Sequence, residues 1–83
     1  PNPFNPKTEI RFNISIQDHA TLKIYNIKGQ EVITLINRVI NPGYHNVSWS
    51  GVNANGRELS SGMYFYELVV GDISLRKKLV LLK

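Results

Sequence analysis

The sequence predicts an all-β fold, an antiparallel sandwich built from about seven short strands. Short runs in which apolar and polar residues alternate recur along the chain, and turn-forming residues separate them roughly every eight to twelve positions. No run carries a helical apolar stripe of useful length. With 83 residues, of which 42% are hydrophobic, the chain can form one small domain with a thin core.

The opening of the chain lacks the alternating pattern. Pro1, Pro3 and Pro6 fix φ and push the residues before them into extended conformations, so no helix begins here. We therefore divide the chain into an extended, Pro-rich lead-in from an upstream linker, residues 1–7, and a single sandwich domain, residues 8–83. Because the chain lacks an initiator methionine, we expect a larger protein to precede it.

The strands are predicted from alternation or from β-prone composition. Ile10, Phe12 and Ile14 alternate with Arg11 and Asn13, which is the pattern of a half-buried strand. Residues 20–25 and 44–49 alternate in the same way, whereas residues 31–36 are apolar on both faces and residues 63–70 are the most β-prone stretch. Gly, Pro or Asn stands in most of the turns between these runs. The predicted strands span residues 10–16, 20–25, 31–36, 44–49, 63–70 and 73–82.

Charge and cysteine content exclude several classes of function. The net charge of +4 suits a polyanionic partner, but only Arg76, Lys77 and Lys78 cluster, so we expect no nucleic-acid partner. The chain has no apolar run of about 18 residues, and we expect no membrane insertion. It also has no cysteine, which excludes disulfides, thiolate metal sites and cysteine nucleophiles.

Candidate catalytic groups are few. Ser15, Asp18 and His19 are the residue types of a catalytic triad, but neighbours within one turn cannot easily adopt its geometry. The six carboxylates are scattered along the chain, and no pair is spaced for glycoside hydrolysis. We therefore predict no enzymatic activity, no catalytic residue and no cofactor.

The longest loop, residues 50–61, offers the nearest metal hypothesis. Asn53, Asn55 and Glu58 could supply oxygen ligands to calcium, yet hard cations prefer several carboxylates and the loop has no aspartate. Turn chemistry explains the two asparagines better. Asn55-Gly56 suits a turn with positive φ at two positions, so we predict no metal site.

Aromatic residues suggest a second hypothesis, carbohydrate binding. Tyrosine and tryptophan rings stack on sugars, but sandwich cores also use them heavily. Trp49 shares a strand face with Val47, so we expect it in the core. Tyr25 and Tyr44 lie on the polar faces of their strands and are the better candidates for exposed contacts.

The last predicted strand combines a basic cluster with an apolar run. Solvated lysines at a sheet edge block further pairing, which is a structural explanation. An extended edge is also easily recognised by strand addition, so the segment from Arg76 to Lys83 could be an address that another protein reads. The two interpretations are compatible.

Several motifs follow one another over nearly the whole chain. They are Pro1-Asn2-Pro3-Phe4-Asn5-Pro6, Ile10-Arg11-Phe12, Leu22-Lys23-Ile24-Tyr25-Asn26, Gly29-Gln30-Glu31-Val32, Pro42-Gly43, Trp49-Ser50-Gly51, Asn55-Gly56, Ser61-Gly62-Met63-Tyr64-Phe65-Tyr66 and Lys78-Leu79-Val80-Leu81-Leu82-Lys83. In this order they resemble the type A sorting domain of the bacterial type IX secretion system, an Ig-like β-sandwich.

The resemblance implies a non-catalytic sorting signal. In that family the domain stands last in exported proteins that have reached the periplasm. An outer-membrane translocon then passes them to the cell surface or the medium, and a surface sortase typically removes the domain. Matched position by position, the recognition elements would be Pro1, Asn2, Pro3, Gly62, Tyr64, Lys78 and Lys83, with cleavage at or before Pro1.

Two other roles stay open. The Ig-like domain of flagellar hook-capping proteins is similar in its opening, its Trp-Ser-Gly turn and its Gly-x-Tyr strand, and there the sandwich is a structural module. A carbohydrate-binding accessory domain of a secreted enzyme is the other alternative. Sorting is favoured because the chain ends at Lys83, directly after the terminal motif.

Overall fold

Six antiparallel strands form two sheets in a computed structural model that describes residues 7–83. The strands are β1 (Thr8–Ile14), β2 (Asp18–Tyr25), β3 (Glu31–Ile40), β4 (Gly43–Trp49), β5 (Gly62–Val70) and β6 (Ile73–Leu81). The predicted antiparallel sandwich is confirmed, with six strands instead of about seven. The long loop, residues 50–61, contributes only an isolated bridge between Val52 and Glu58. Residues 1–6 of the predicted lead-in lie outside the described residues.

The two sheets are unequal in width. One has the order β3-β2-β5-β6 and the other contains only β1 and β4. Thr8 at the start of β1 pairs with Trp49 at the end of β4, and Gly62 at the start of β5 pairs with Leu81 at the end of β6. The narrow sheet therefore covers only part of the wide one.

The core consists of the inward-facing side chains of both sheets. Alternation places Ala20, Leu22 and Ile24 of β2 on the inner face, and all three are inaccessible to solvent. Trp49, the largest of the buried side chains, reaches them from the narrow sheet. Within residues 7–83 no helix is long and apolar enough to cross a membrane.

Three local predictions are wrong. Ile16 lies in a bend after β1 and is 63% exposed, although we expected it on the first strand. The strand β2 begins earlier than expected, because Asp18 already pairs with Ile40 of β3, so the connection is confined to residues 15–17. The turn at Asn55-Gly56 also differs, since only Gly56 has a positive φ, +81°.

Candidate functional site

The loop of residues 50–61 is ordered by its own backbone and by one asparagine. Asn53 Oδ1 accepts hydrogen bonds from the backbone N–H groups of Asn55 and Arg57, each at 3.0 Å. The N–H of Asn53 donates to the carbonyl of Arg57, and the N–H of Gly56 donates to the carbonyl of Asn53. The turn interpretation of Asn53 is therefore confirmed.

Replacing Asn53 should destabilise the loop, whereas replacing its neighbour should not. Asn53→Ala removes the acceptor of two backbone N–H groups, and we expect a loss of about 1–2 kcal/mol in the free energy of unfolding. The exposed Asn55 donates only its backbone N–H in this network, so Asn55→Ala should change stability by less than about 0.5 kcal/mol. Urea unfolding of both variants measures the difference; equal effects would contradict this role of Asn53.

Two aromatic side chains anchor the ends of this loop. Trp49 and Tyr64 meet edge to face, with ring centroids 5.2 Å apart and ring planes at 74°. Trp49 Nε1 donates to the carbonyl of Val52 at 2.9 Å, and the hydroxyl of Tyr64 donates to the carbonyl of Ser60 at 2.7 Å. Each ring thus contributes apolar burial and one hydrogen bond that holds the loop.

Residues 79–83 pack against the loop. The side chain of Leu81 is fully buried and lies beside Gly51, where a Cβ would stand 2.9 Å from both of its methyl groups. Lys83 Nζ is 3.4 Å from the carbonyl oxygen of Gly51 and 3.2 Å from Glu58 Oε1. The backbone N–H of Lys83 donates to Ser61 Oγ at 3.0 Å, so this segment and the loop form one structural unit.

The structure brings three of the predicted recognition residues to the same end of the sandwich. Gly62 pairs with Leu81. The Tyr64 hydroxyl donates to a loop carbonyl, and the Lys83 side chain contacts the loop through its ammonium group. Tyr64 is only 7% exposed, so its ring is part of the core. The strand β1 begins at this end as well, because Thr8 pairs with Trp49. Pro1, Asn2 and Pro3 lie outside the described residues.

Lys78 lies apart from the other three residues. It pairs with Phe65 across β5 and β6, and its side chain is exposed. Alternation places it on the outer face of the wide sheet, together with Arg76, because the buried Leu79 between Lys78 and Val80 points inward. The four predicted recognition residues that the structure describes therefore occupy two locations, the outer face of β6 and the loop end.

Sequence reasoning missed the role of Gly51. We treated Trp49-Ser50-Gly51 only as part of a resemblance, without a physical reason for the glycine. The structure supplies one, because Gly51 has φ of +77° and also makes the close approach to Leu81. A glycine directly after a buried tryptophan was the available signal, but its contact is 30 residues away in sequence and no local pattern reveals it.

Asp18 of the catalytic hypothesis and Glu58 of the metal hypothesis are each held by a structural contact. Asp18 Oδ1 accepts a hydrogen bond from the backbone N–H of His19 at 2.7 Å, so this carboxylate binds the backbone at the start of β2. In the sequence that the structure describes, no three His, Cys, Asp or Glu side chains are grouped to hold a metal ion. Glu58, a proposed calcium ligand, is the ion-pair partner of Lys83 at 3.2 Å.

The aromatic residues do not form one stacking platform. Trp49 is 1% exposed, so its predicted place in the core is confirmed. Tyr44 is 89% exposed on the outer face of the narrow sheet, while Tyr25 lies on the outer face of the wide sheet. There the guanidinium carbon of Arg76 is 5.3 Å from the centroid of the Tyr25 ring and 5.9 Å from that of Phe65. The two candidate sugar contacts thus lie on opposite sides of the molecule.

One carboxyl group has a clearly shifted pKa, and it lies at the surface. A hydrogen bond from the Thr34 hydroxyl at 2.9 Å lowers the pKa of Glu31 below its usual value of 4.5, and the nearby Lys23 ammonium lowers it further. Glu31 is exposed at the start of β3, where it pairs across the sheet with Tyr25. Its shift reflects strand contacts.

Comparison with known proteins gives one match. The family model described as the secretion system C-terminal sorting domain matches residues 1–82, nearly the whole chain. No curated protein matches the sequence. No solved structure matches it either.

Proposed function

Since this chain belongs to the family of secretion system C-terminal sorting domains, whose model matches residues 1–82, we propose that it directs its protein across the outer membrane for surface attachment or release. Membership places the chain in type IX secretion, as part of an exported protein that ends at the cell surface or outside the cell. Passage through the periplasm, recognition by the translocon and removal by a surface sortase are parts of the proposal.

The observation that supports this function best is how residues 79–83 are held. A sorting signal must present the same features whatever protein precedes it. Here the inward side chains of Leu79 and Leu81 are buried, while Lys78, Val80 and Leu82 remain exposed. The fold thus displays every second side chain in a fixed strand geometry, which a receptor can read without unfolding the domain.

The lysines at positions 78 and 83 have different surroundings within this proposal. Lys78 projects from the outer face of β6 and is free to meet a partner's carboxylate. Lys83 is held by Gly51 and Glu58, so a partner must either bind the lysine while these contacts remain or replace them. Gly62 and Tyr64 would act by fixing the loop against which Lys83 rests. The proposed role is non-catalytic, in line with the family in general.

A reporter assay tests the proposal. A fluorescent protein with a signal peptide would be fused ahead of this domain in a bacterium with type IX secretion, and the control fusion would lack the domain. We expect reporter at the surface or in the medium only with the domain, and only while the translocon is intact. A folded domain that leaves its reporter in the periplasm would contradict the proposal and favour a structural Ig-like module.

Deleting residues 78–83 is a poor control for this assay. The deletion removes Leu79 and Leu81 from the core together with half of the β6 pairing to β5. A truncated domain would then fail because it unfolds, whether or not those residues carry the signal. Point changes at exposed positions avoid this ambiguity.

A further inference from the structure

We propose that the free edge of β6 and the groove beside it bind an extended acidic segment of a partner protein by strand addition. In the order β3-β2-β5-β6, β6 is an edge strand. The narrow sheet leaves the inner face of the wide sheet partly uncovered along this edge. The proposal gives the sorting receptor a chemical character, and in that respect it rests on the proposed function.

The uncovered part of the inner face is an apolar groove between β1 and β6. Its volume is about 550 Å³. Two of its apolar residues, Ile73 and Leu75, are 71% and 39% exposed, which is unusual for side chains that face the inside of a sandwich. The apolar lining includes Phe12, Ile14, Leu68, Val70, Ile73 and Leu75.

The hairpin geometry determines which backbone groups of β6 face outward along the edge. A two-residue turn, Gly71-Asp72, closes the hairpin at the pair Val70 and Ile73. Because hydrogen-bonded and non-hydrogen-bonded pairs alternate in an antiparallel ladder, every second β6 residue from Ile73 onward bonds to β5. The intervening residues, Ser74, Arg76, Lys78 and Val80, therefore point their N–H and C=O groups at the free edge.

Charge determines what can occupy this edge. Arg76 and Lys78 stand on the outer face at two of the positions whose backbone is free, and Lys77 lies between them at the rim of the groove. A second copy pairing through β6 in full antiparallel overlap would place these three cations opposite one another, which is unfavourable. A partner strand with carboxylates opposite Arg76 and Lys78 gains two favourable cross-strand pairs instead.

The groove determines which side chains the added strand carries on its other face. Side chains of an added strand alternate between the two faces. Those opposite Ile73 and Leu75 would point into the groove, and apolar side chains there would cover the exposed inner face. The expected partner strand thus carries, from its N-terminus, acidic residues at its first and third positions and apolar residues at its fourth and sixth positions.

A synthetic peptide tests this inference on the 83-residue chain. The capped peptide Glu-Thr-Glu-Val-Thr-Val is antiparallel-complementary to residues 73–78. Its binding to the isotope-labelled domain would be followed by amide hydrogen exchange. At about ten times the dissociation constant of the peptide, we expect exchange of the Ser74, Arg76 and Lys78 amides to slow about tenfold. The amides of Leu75 and Lys77 should change little, because β5 already protects them.

Matched variants separate strand addition from simple charge attraction. Lys78→Glu should weaken binding about fivefold to tenfold, because an attractive cross-strand pair becomes repulsive. Lys28→Glu makes the same charge change at an exposed residue of the turn between β2 and β3, strands that β5 separates from β6, and should change affinity less than twofold. A peptide N-methylated at the amides that face β6 should lose binding.

Three results would overturn the inference. They are equal binding of the N-methylated or scrambled peptide, the same exchange pattern with a polyanion such as heparin, and edge protection that depends on protein concentration without peptide. The reporter assay is a separate measurement. A domain that exports its reporter but ignores the peptide overturns this inference alone, and one that binds the peptide without exporting its reporter overturns the sorting role alone.

Discussion

Trp49→Ala is expected to remove a large part of the domain's free energy of unfolding. The indole ring is 1% exposed and packs edge to face against Tyr64. Its removal leaves a large cavity and unpairs the carbonyl of Val52. Such truncations cost about 3–5 kcal/mol, and a domain of this size has roughly 4–12 kcal/mol in total.

Tyr44→Ala is the matched control, since it also removes an aromatic ring from β4. The Tyr44 side chain is 89% exposed on the outer face, so we expect a change within about 0.5 kcal/mol. Thermal and urea unfolding followed by circular dichroism measure both variants. Similar unfolding midpoints for Trp49→Ala and the unaltered domain would show that the core is not centred on this ring.

Gly51→Ala should be strongly destabilising and should act on residues 79–83. A non-glycine residue at φ of +77° costs about 1–2 kcal/mol. The added Cβ would also stand 2.9 Å from both methyl groups of Leu81 and 3.3 Å from Lys83 Cε. Because Leu81 is fully buried, its methyl groups cannot move freely, and overpacking adds about 1–3 kcal/mol.

Gly29→Ala isolates the contribution of that contact. Gly29 has nearly the same φ, +81°, but a Cβ there would meet no atom within 4 Å. The difference in unfolding free energy between the two variants therefore measures the contact with residues 79–83. Faster exchange of the Lys83 amide in Gly51→Ala alone would show the segment leaving Ser61. Equal losses in the two variants would contradict the contact.

The sequence was sufficient to predict the class of fold, because strand periodicity is local. Five of the six observed strands begin and end within two residues of the predicted runs, and the sixth, β3, continues four residues beyond the predicted end at residue 36, to Ile40. That run was apolar on both faces, so alternation gave no signal for where it stops. Pairing of Asp18 with Ile40 extends it, and such a contact depends on tertiary structure.

The candidate site was less accessible from the sequence. Motif resemblance predicted Pro1, Asn2, Pro3, Gly62, Tyr64, Lys78 and Lys83 as recognition residues, but spacing could not separate the buried ring of Tyr64 from the exposed side chain of Lys78. Nor could it show the contact between Gly51 and Leu81, which joins residues 30 positions apart. The uncovered groove results from the unequal widths of the two sheets, and strand order is not encoded in periodicity.

Export of a reporter that carries Lys78→Ala and Lys83→Ala tests most directly whether these two lysines on a folded domain carry the sorting signal. Both changes should leave the domain folded, because Lys78 is exposed and ion pairs such as the one between Lys83 and Glu58 contribute at most about 1 kcal/mol. Lys28→Ala with Arg38→Ala, both exposed, makes the same charge change elsewhere. We predict that the first variant keeps an unfolding midpoint close to that of the unaltered domain and stays in the periplasm, while the control is exported. Export of the first variant at the level of the unaltered domain would contradict the proposal that these lysines are read.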